Sequence, residues 1–326
     1  MRTLEATGSD TASRAQTLAT AVCITMRQPK SDARNEKAEK LVAELDTLPE
    51  IHLSIKIEAH GMHNSYYRAD DIDAGIIKRS LRIIELNKKL SPEQRVASLP
   101  GTLMAAYENL AEAWTGQEMN AQALDLLLRR APAELGGVNG VAERLKPMIE
   151  RYELTGKAAT PIEAPRWLNT EATTSKIEMP GQVTWLQFTA HWCGPCRESY
   201  PGVVRLHQRF SEKGFRVVMA TQLYGYFENR RNLPPEAELA AIREYFPKHG
   251  IAFPIAVSDN IPMIVENGRP VRKVNINDAN YNVGGIPQIQ IIDKKGVVRL
   301  IMIGYDEANE ERLAVLISRL LNESNP

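Results

Sequence analysis

The apolar positions in the second half of the chain change period in a way that predicts alternating strands and helices. Val183 to Ala190 (VTWLQFTA) reads as a short buried strand, rich in β-branched and aromatic residues. Val203, Val204, Leu206 and Phe210 then recur at helical spacing. Phe215 to Thr221 predicts another strand, running parallel to the first. Further on, Ile289–Ile292 and Val297–Ile303 are apolar runs separated by the polar turn Asp293-Lys294-Lys295-Gly296, the pattern of a β-hairpin. A second hairpin is expected where Met263-Ile264-Val265 and Val271-Arg272-Lys273-Val274 flank Glu266-Asn267-Gly268-Arg269.

Before Pro161 the period is helical. Ser91-Pro92-Glu93-Gln94 reads as a helix start, with an N-cap serine, proline in the first turn and an acidic group after it. Tyr107, Leu110, Ala111 and Trp114 share one helix face, and a second helix runs through Ala123, Leu124, Leu127 and Leu128. The spacing of large and small residues in this pair resembles a tetratricopeptide hairpin. No second copy follows at that period, and an unrelated helical bundle fits equally well. Asp70-Asp71-Ile72 opens a further expected helix through Ile76, Ile77, Leu81 and Ile84, and Val141 to Tyr152 supplies one more, containing Pro147. Ile51 to Glu58 alternates like a strand, but a lone strand among helices would leave its backbone unpaired, so a helix is expected. The expected organisation is a flexible N-terminus over 1–30, a mainly helical domain over 31–155, a linker over 156–165 and an α/β domain over 166–326. The helical domain is expected to bind a partner, to oligomerise or simply to pack.

Composition narrows the function. Lys+Arg and Asp+Glu number 40 each in 326 residues, so no net field favours nucleic acid or an acidic membrane. No run approaches the ~18 apolar residues of a membrane-spanning helix. Glu5 and Asp10 acidify the region that a signal peptide keeps basic, and Leu18 to Met26 is a short apolar stretch interrupted by threonines. Three cysteines, two of them in one motif, exclude a disulfide-stapled scaffold.

That motif carries the chemistry. Thr189-Ala190-His191-Trp192-Cys193-Gly194-Pro195-Cys196 follows the predicted strand and opens the predicted helix. Cys193 therefore sits at a helix N-terminus, where free N–H groups and the dipole stabilise a thiolate. Cys196, one turn on, is close enough to close a small disulfide ring. The pair suits thiol–disulfide exchange, with Cys193 attacking and Cys196 resolving the mixed disulfide. A metal site is the competing reading, with His191 as a third ligand, although structural sites use four and Cys23 is far upstream. In that reading the chain is a partner- or metal-binding redox protein.

Trp192 to Cys196, WCGPC, resembles the active-site sequence of thioredoxins. The surroundings, from about Ala164 to Leu321, are similar to the TlpA/ResA-like branch of thiol–disulfide oxidoreductases. Ala164-Pro165-Arg166-Trp167-Leu168 resembles the family's opening segment, and Gly181 to Phe188 its strand before the cysteines. Pro201 stands where thioredoxins carry a helix-kinking proline, and His249 to Ile255 resembles a segment inserted in this branch. Gly284-Gly285-Ile286-Pro287 is similar to the segment that holds the family's cis-proline.

The resemblance implies a thioredoxin-like α/β fold and a protein-disulfide reductase working without a cofactor. It implies a protein disulfide as substrate, a thiol as electron donor and a compartment outside the cytoplasm. Substrate contacts would come from Trp192, Gly194, Pro195, Ile286 and Pro287, with the Ile286 backbone pairing to an extended substrate. Two positions depart from the pattern. Gln187 stands where thioredoxin has a buried carboxylate, and an amide cannot titrate. Ser199 stands where ResA-like members have a glutamate, with Glu198 one position early and so turned by about 100° on the helix. An exposed His191 is expected, with stabilisation of the Cys193 thiolate as the alternative, and Cys23 is expected to be incidental. Leu223 to Pro235, with Tyr224, Tyr226, Phe227, Arg230 and Arg231, and Asn260 to Val274 are expected to wall a groove over Cys193 or else to be solvated loops.

Overall fold

The computed structural model describes residues 2–29, 31–67, 73–98, 100–136, 138–171, 173–261, 264–266, 269–271, 274–305, 307 and 310–324. The chain forms two compact units, Met1–Ile149 and Glu150–Pro326. None of the described helices is long and apolar enough to cross a membrane.

The first unit is helical: α1 (Arg2–Met26), α2 (Asp32–Thr47), α3 (Leu53–Tyr67), α4 (Asp73–Lys88), α5 (Pro92–Ser98), α6 (Pro100–Gly116), α7 (Asn120–Asp125), α8 (Ala131–Glu134) and α9 (Val141–Tyr152), which runs on into the second unit. The expected helices over 51–58 and 141–152 are present, and α5 opens on a reciprocal cap. There the Gln94 N–H donates to Ser91 Oγ (3.3 Å) while the Ser91 N–H donates to Gln94 Oε1 (2.8 Å). Three expectations need correction. Within the stretch expected to be a flexible N-terminus, Ala15, Leu18, Ala19, Val22 and Met26 of α1 are buried against α2 and α3. Leu81 is exposed on α4, where Ile83, Ile84 and Leu86 face inward instead. That face also buries Arg79 and Ser80, which are affordable there because Asn64 bonds both, at 2.9 and 3.0 Å. Leu128 is exposed because the chain widens into a π-helical turn over Leu126–Arg130, which turns Leu126 and Leu127 inward. The expected helix start at Asp70-Asp71-Ile72 lies outside the described residues.

In the second unit a six-stranded sheet has the order β12-β11-β4-β5-β8-β2. Its strands are β2 (Arg166–Leu168), β4 (Val183–Phe188), β5 (Phe215–Gln222), β8 (Ile255–Ser258), β11 (Gln288–Ile292) and β12 (Val298–Ile303). β4, β5 and β8 are parallel, and β11, β12 and β2 join antiparallel to their neighbours. This is the mixed sheet of a thioredoxin-like fold. Every residue of β4 is buried. Val183 and Trp185 enter the core under α10 (Gly194–Phe210), α11 (Pro235–Lys248) and α13 (Glu310–Asn322). Leu186 and Phe188 enter the opposite core, with Tyr281 beside α12 (Ile276–Asn280) and Ile162 of the short ladder β1 (Ile162–Glu163) to β3 (Lys176–Ile177). A strand covered on both faces shows no strict alternation of apolar and polar residues, and 183–190 shows none.

Two small hairpins complete the unit, β6 (Tyr226–Phe227) with β7 (Arg230–Arg231) and β9 (Ile264–Glu266) with β10 (Arg269–Val271). The second matches the expected Asn-Gly hairpin, its Asn267-Gly268 turn lying outside the described residues. The expected linker 156–165 is instead tied to the sheet. The Gly156 N–H donates to Val298 O (2.8 Å), the Val298 N–H to Lys157 O (3.0 Å) and the Ala159 N–H to Gly296 O (2.7 Å), so this stretch lies along the outer edge where β12 begins. Small residues and prolines marked it as a linker, but the same residues let the backbone follow an edge closely.

Candidate active site

β4 delivers the motif. After Phe188 the chain stays in register for one more residue, with the Thr189 N–H bonded to Ala220 O (2.9 Å), and then turns, closed by the Cys193 N–H on Ala190 O (3.1 Å). Cys193 is the N-cap of α10, and the Cys196 N–H points at its Sγ from 3.1 Å. The two sulfurs are joined in a disulfide, with Cα atoms 5.2 Å apart. Cys193 is 3% exposed and Cys196 is fully buried, so of the two only Cys193 keeps any contact with solvent. On reduction, Cys193 would carry a thiolate facing the free N–H groups and positive dipole end of α10. Pro195 lies in the first turn, where its missing N–H costs nothing.

Opposite the disulfide lies the loop before β11. Ile286 O is 3.7 Å from Cys193 Sγ, and the Ile286–Pro287 peptide bond is cis. Gln288 fixes this loop, its Nε2 donating to Tyr281 O (2.9 Å) and its Oε1 accepting from the Gly284 N–H (3.2 Å). Trp192, next to Cys193 in the chain, is 45% exposed.

Beneath Cys196 runs a chain of groups that do not change charge. Trp185 Nε1 donates to Gln187 Oε1 (3.0 Å), Gln187 Nε2 to Ser199 Oγ (2.9 Å), and Ser199 Oγ to Cys196 O (2.7 Å). All three side chains are buried, whereas Glu198 points to solvent as its one-residue offset requires. The site thus keeps the position of the buried carboxylate but fills it with a satisfied amide.

His191 differs from both of its expected roles. It is buried, not exposed, with its ring stacked on Phe227 (4.8 Å) and edge-on to Tyr224 (5.8 Å) and Tyr226 (5.4 Å). Burial lowers its pKa to about 4, against a weaker opposing bond to the Tyr226 backbone. A neutral imidazole supplies no positive charge to Cys193 near pH 7. His191 serves instead as the hub on which the β6–β7 hairpin packs.

Glu238 was not foreseen. Fully buried in the first turn of α11, it accepts the N–H groups of Tyr224 and Gly225, both at 2.7 Å, and lies 3.8 Å from His191 Nε2. Burial raises its pKa, partly countered by those two bonds. The carboxylate fixes the backbone entering β6, and with it the ring of Tyr224, which meets Trp192 edge-on at 5.4 Å. In sequence its only sign is that it is the second of two acidic residues in the turn after Pro234-Pro235, which a helix start explains without any further role. Among the described residues no group of three or more His, Cys, Asp or Glu is arranged to hold a metal, and Cys23 is a half-buried free thiol in the first unit.

The Redoxin family model matches residues 155–316. The thioredoxin-like protein YneN of Bacillus subtilis (strain 168) is 27% identical over 124 residues, which are 38% of this chain and 58% of that protein. The chain therefore spans less than two thirds of that relative's length. Among solved structures, a thiol-disulfide isomerase from Corynebacterium glutamicum is 22% identical, with 52% of this chain and 98% of that one covered and a TM-score of 0.38. A thioredoxin family thiol:disulfide interchange protein from Chlorobium tepidum TLS is 16% identical, with 52% and 97% covered and a TM-score of 0.35.

Proposed function

We propose that this chain, whose residues 155–316 belong to the Redoxin family among the thioredoxin-like thiol–disulfide oxidoreductases, reduces disulfides of partner proteins in the manner of the TlpA/ResA-like branch. The observation that carries the reading is the Cys193–Cys196 disulfide at the N-terminus of α10, with Cys193 Sγ facing the Cys196 N–H and Cys193 keeping the trace of exposure that Cys196 lacks.

In the reduced protein the Cys193 thiolate attacks one sulfur of the partner's disulfide. A Cys193–partner bond forms, the partner's own S–S bond breaks, and the departing thiolate takes a proton from water. Cys196 then loses its proton and attacks Cys193 Sγ, which closes the internal disulfide and frees the partner's second thiolate. Two electrons pass to the partner, and an external thiol donor restores the dithiol. Gln187 and Ser199 do not titrate near neutral pH, so the Cys196 proton leaves without a buried carboxylate to receive it. The substrate chain would lie across Trp192, Gly194 and Pro195 and pair with the Ile286 backbone before Pro287. The β6–β7 hairpin would form one wall of its groove, and the helical first unit would contribute a partner contact.

Trapping tests this. Cys196→Ser keeps the attacking thiolate but removes the group that releases it, so mixed disulfides should accumulate on Cys193. If it traps no more partner than Cys193→Ser does, the exchange mechanism is wrong.

A further inference from the structure

Arg166, Arg205, Arg209 and Arg299 of the second unit are each paired with carboxylates. Arg230 and Arg231, on β7, are held differently. Both are exposed, and neither forms an ion pair with a carboxylate among the described residues, Glu228 at the hairpin turn included. Aromatic faces hold them instead. Arg230 Cζ lies 5.5 Å from the Phe227 ring centre and Arg231 Cζ 4.5 Å from that of Tyr226, while Arg231 Nη1 donates to Glu228 O (3.1 Å). A guanidinium stacked on a ring keeps its N–H edge for a carboxylate, and its lost freedom is already spent.

These rings belong to the active site. Tyr226 and Phe227 contact His191, two residues before Cys193, and Tyr224 links Tyr226 (6.1 Å) to Trp192 (5.4 Å). Glu238 anchors the backbone of this group through Tyr224 and Gly225. Two charges without carboxylate partners are thus held on the wall beside the reactive sulfur. The chain has no net charge that could attract a partner from a distance, so local charges, this pair among them, bias which sign of charge is favoured near the disulfide.

We propose that the β6–β7 hairpin selects partner disulfides flanked by acidic side chains, with Arg230 and Arg231 receiving the carboxylates and Glu238 acting as the positioning residue; this rests on the exchange reaction proposed above. The reaction is unchanged: two electrons leave the Cys193–Cys196 dithiol and reduce the partner's S–S bond to two thiols.

The test uses the full chain, reduced with dithiothreitol and then freed from it, in single turnovers with two peptides. Both carry the same disulfide loop, one flanked by Asp and Glu and the other by Lys, and a small uncharged disulfide is run beside them. Wild-type protein should reduce the acidic peptide about fivefold faster than the basic one at low ionic strength, with the ratio shrinking at about 0.5 M salt. In Arg230→Gln/Arg231→Gln the ratio should fall at least about threefold, and Arg230→Glu/Arg231→Glu should invert it. Taking the ratio within each variant cancels any general loss of activity, and comparing the ratios between variants cancels any difference in peptide potential. A ratio that neither double substitution moves overturns the inference while leaving the exchange reaction standing. Failure of the wild type to reduce any of the three disulfides overturns both.

Discussion

Acidification exposes the buried state of His191, and the structure sets the size of the effect. An unfolded chain protonates histidine near pH 6.5, whereas burial among Tyr224, Tyr226 and Phe227 lowers the folded value to about 4. Between these two values the unfolded state binds more protons, so the contribution of His191 is complete above 6.5 and is lost as pH falls through 4. At about 1.4 kcal/mol per pKa unit, the full loss is about 3 kcal/mol. Glu238, 3.8 Å away, acts in the opposite sense. Its folded pKa is raised, so its ionisation costs stability as pH climbs from the unfolded value through the raised one. The two are separated by urea denaturation between about pH 4 and 7.5, followed through tryptophan fluorescence, on wild type, His191→Phe, Glu238→Gln and the double variant. Phenylalanine preserves the stacking area without titrating. The lowered pKa values of His63, His207 and His249 cancel in the difference. Between pH 6.5 and 4, wild type should lose about 3 kcal/mol more than His191→Phe, and Glu238→Gln should retain that excess. Parallel curves for wild type and His191→Phe, within about 0.5 kcal/mol, would refute the claim that this imidazole is held neutral.

Two further outcomes are expected. In the reduced protein Cys193 should alkylate much faster than Cys196 or Cys23 near neutral pH, because it alone combines access with the N-terminus of α10; equal rates by mass spectrometry would remove the basis for its assignment as nucleophile. Glu238→Ala removes two charge-assisted bonds and should destabilise the second unit by about 2–4 kcal/mol, with loss of near-ultraviolet dichroism from the tyrosine cluster; an unchanged aromatic spectrum would deny Glu238 its positioning role.

The sequence made the centre of the second unit legible because several local signals coincide there. β4 is mainly β-branched and aromatic, α10 repeats its apolar residues at helical spacing, and the cysteines fall at the junction. The β11–β12 hairpin was legible for the same reason, its polar turn separating two apolar runs. His191 was misjudged because its neighbours come from a hairpin more than thirty residues on, and no local pattern records that the ring is enclosed. Glu238 is another case of distance, since its partners are backbone N–H groups, which leave no trace in sequence. The helix α1 was hidden by composition. Its buried face is largely Ala15, Leu18, Ala19 and Val22, a spacing that is helical but weakly apolar. On α4 the buried polar residues Arg79, Ser80 and Asn87 displaced the face that hydrophobicity alone would choose.

The stretch from Gly156 to Ala159, bonded along the start of β12, bears on how the second unit can be isolated. β12 is an edge strand, and an unpaired edge is a template on which another chain can build. At the opposite edge β2 has only three residues and follows Pro165, which has no N–H to offer. The β12 edge is longer and depends on residues 156–159 for part of its cover. A fragment cut at residue 160, the boundary that composition suggests, would bare Gly296 and Val298 and should self-associate through strand pairing. A cut near Glu150 would leave the edge clothed and the fragment monodisperse, so the few residues that resemble a tether guard the unit against aggregation.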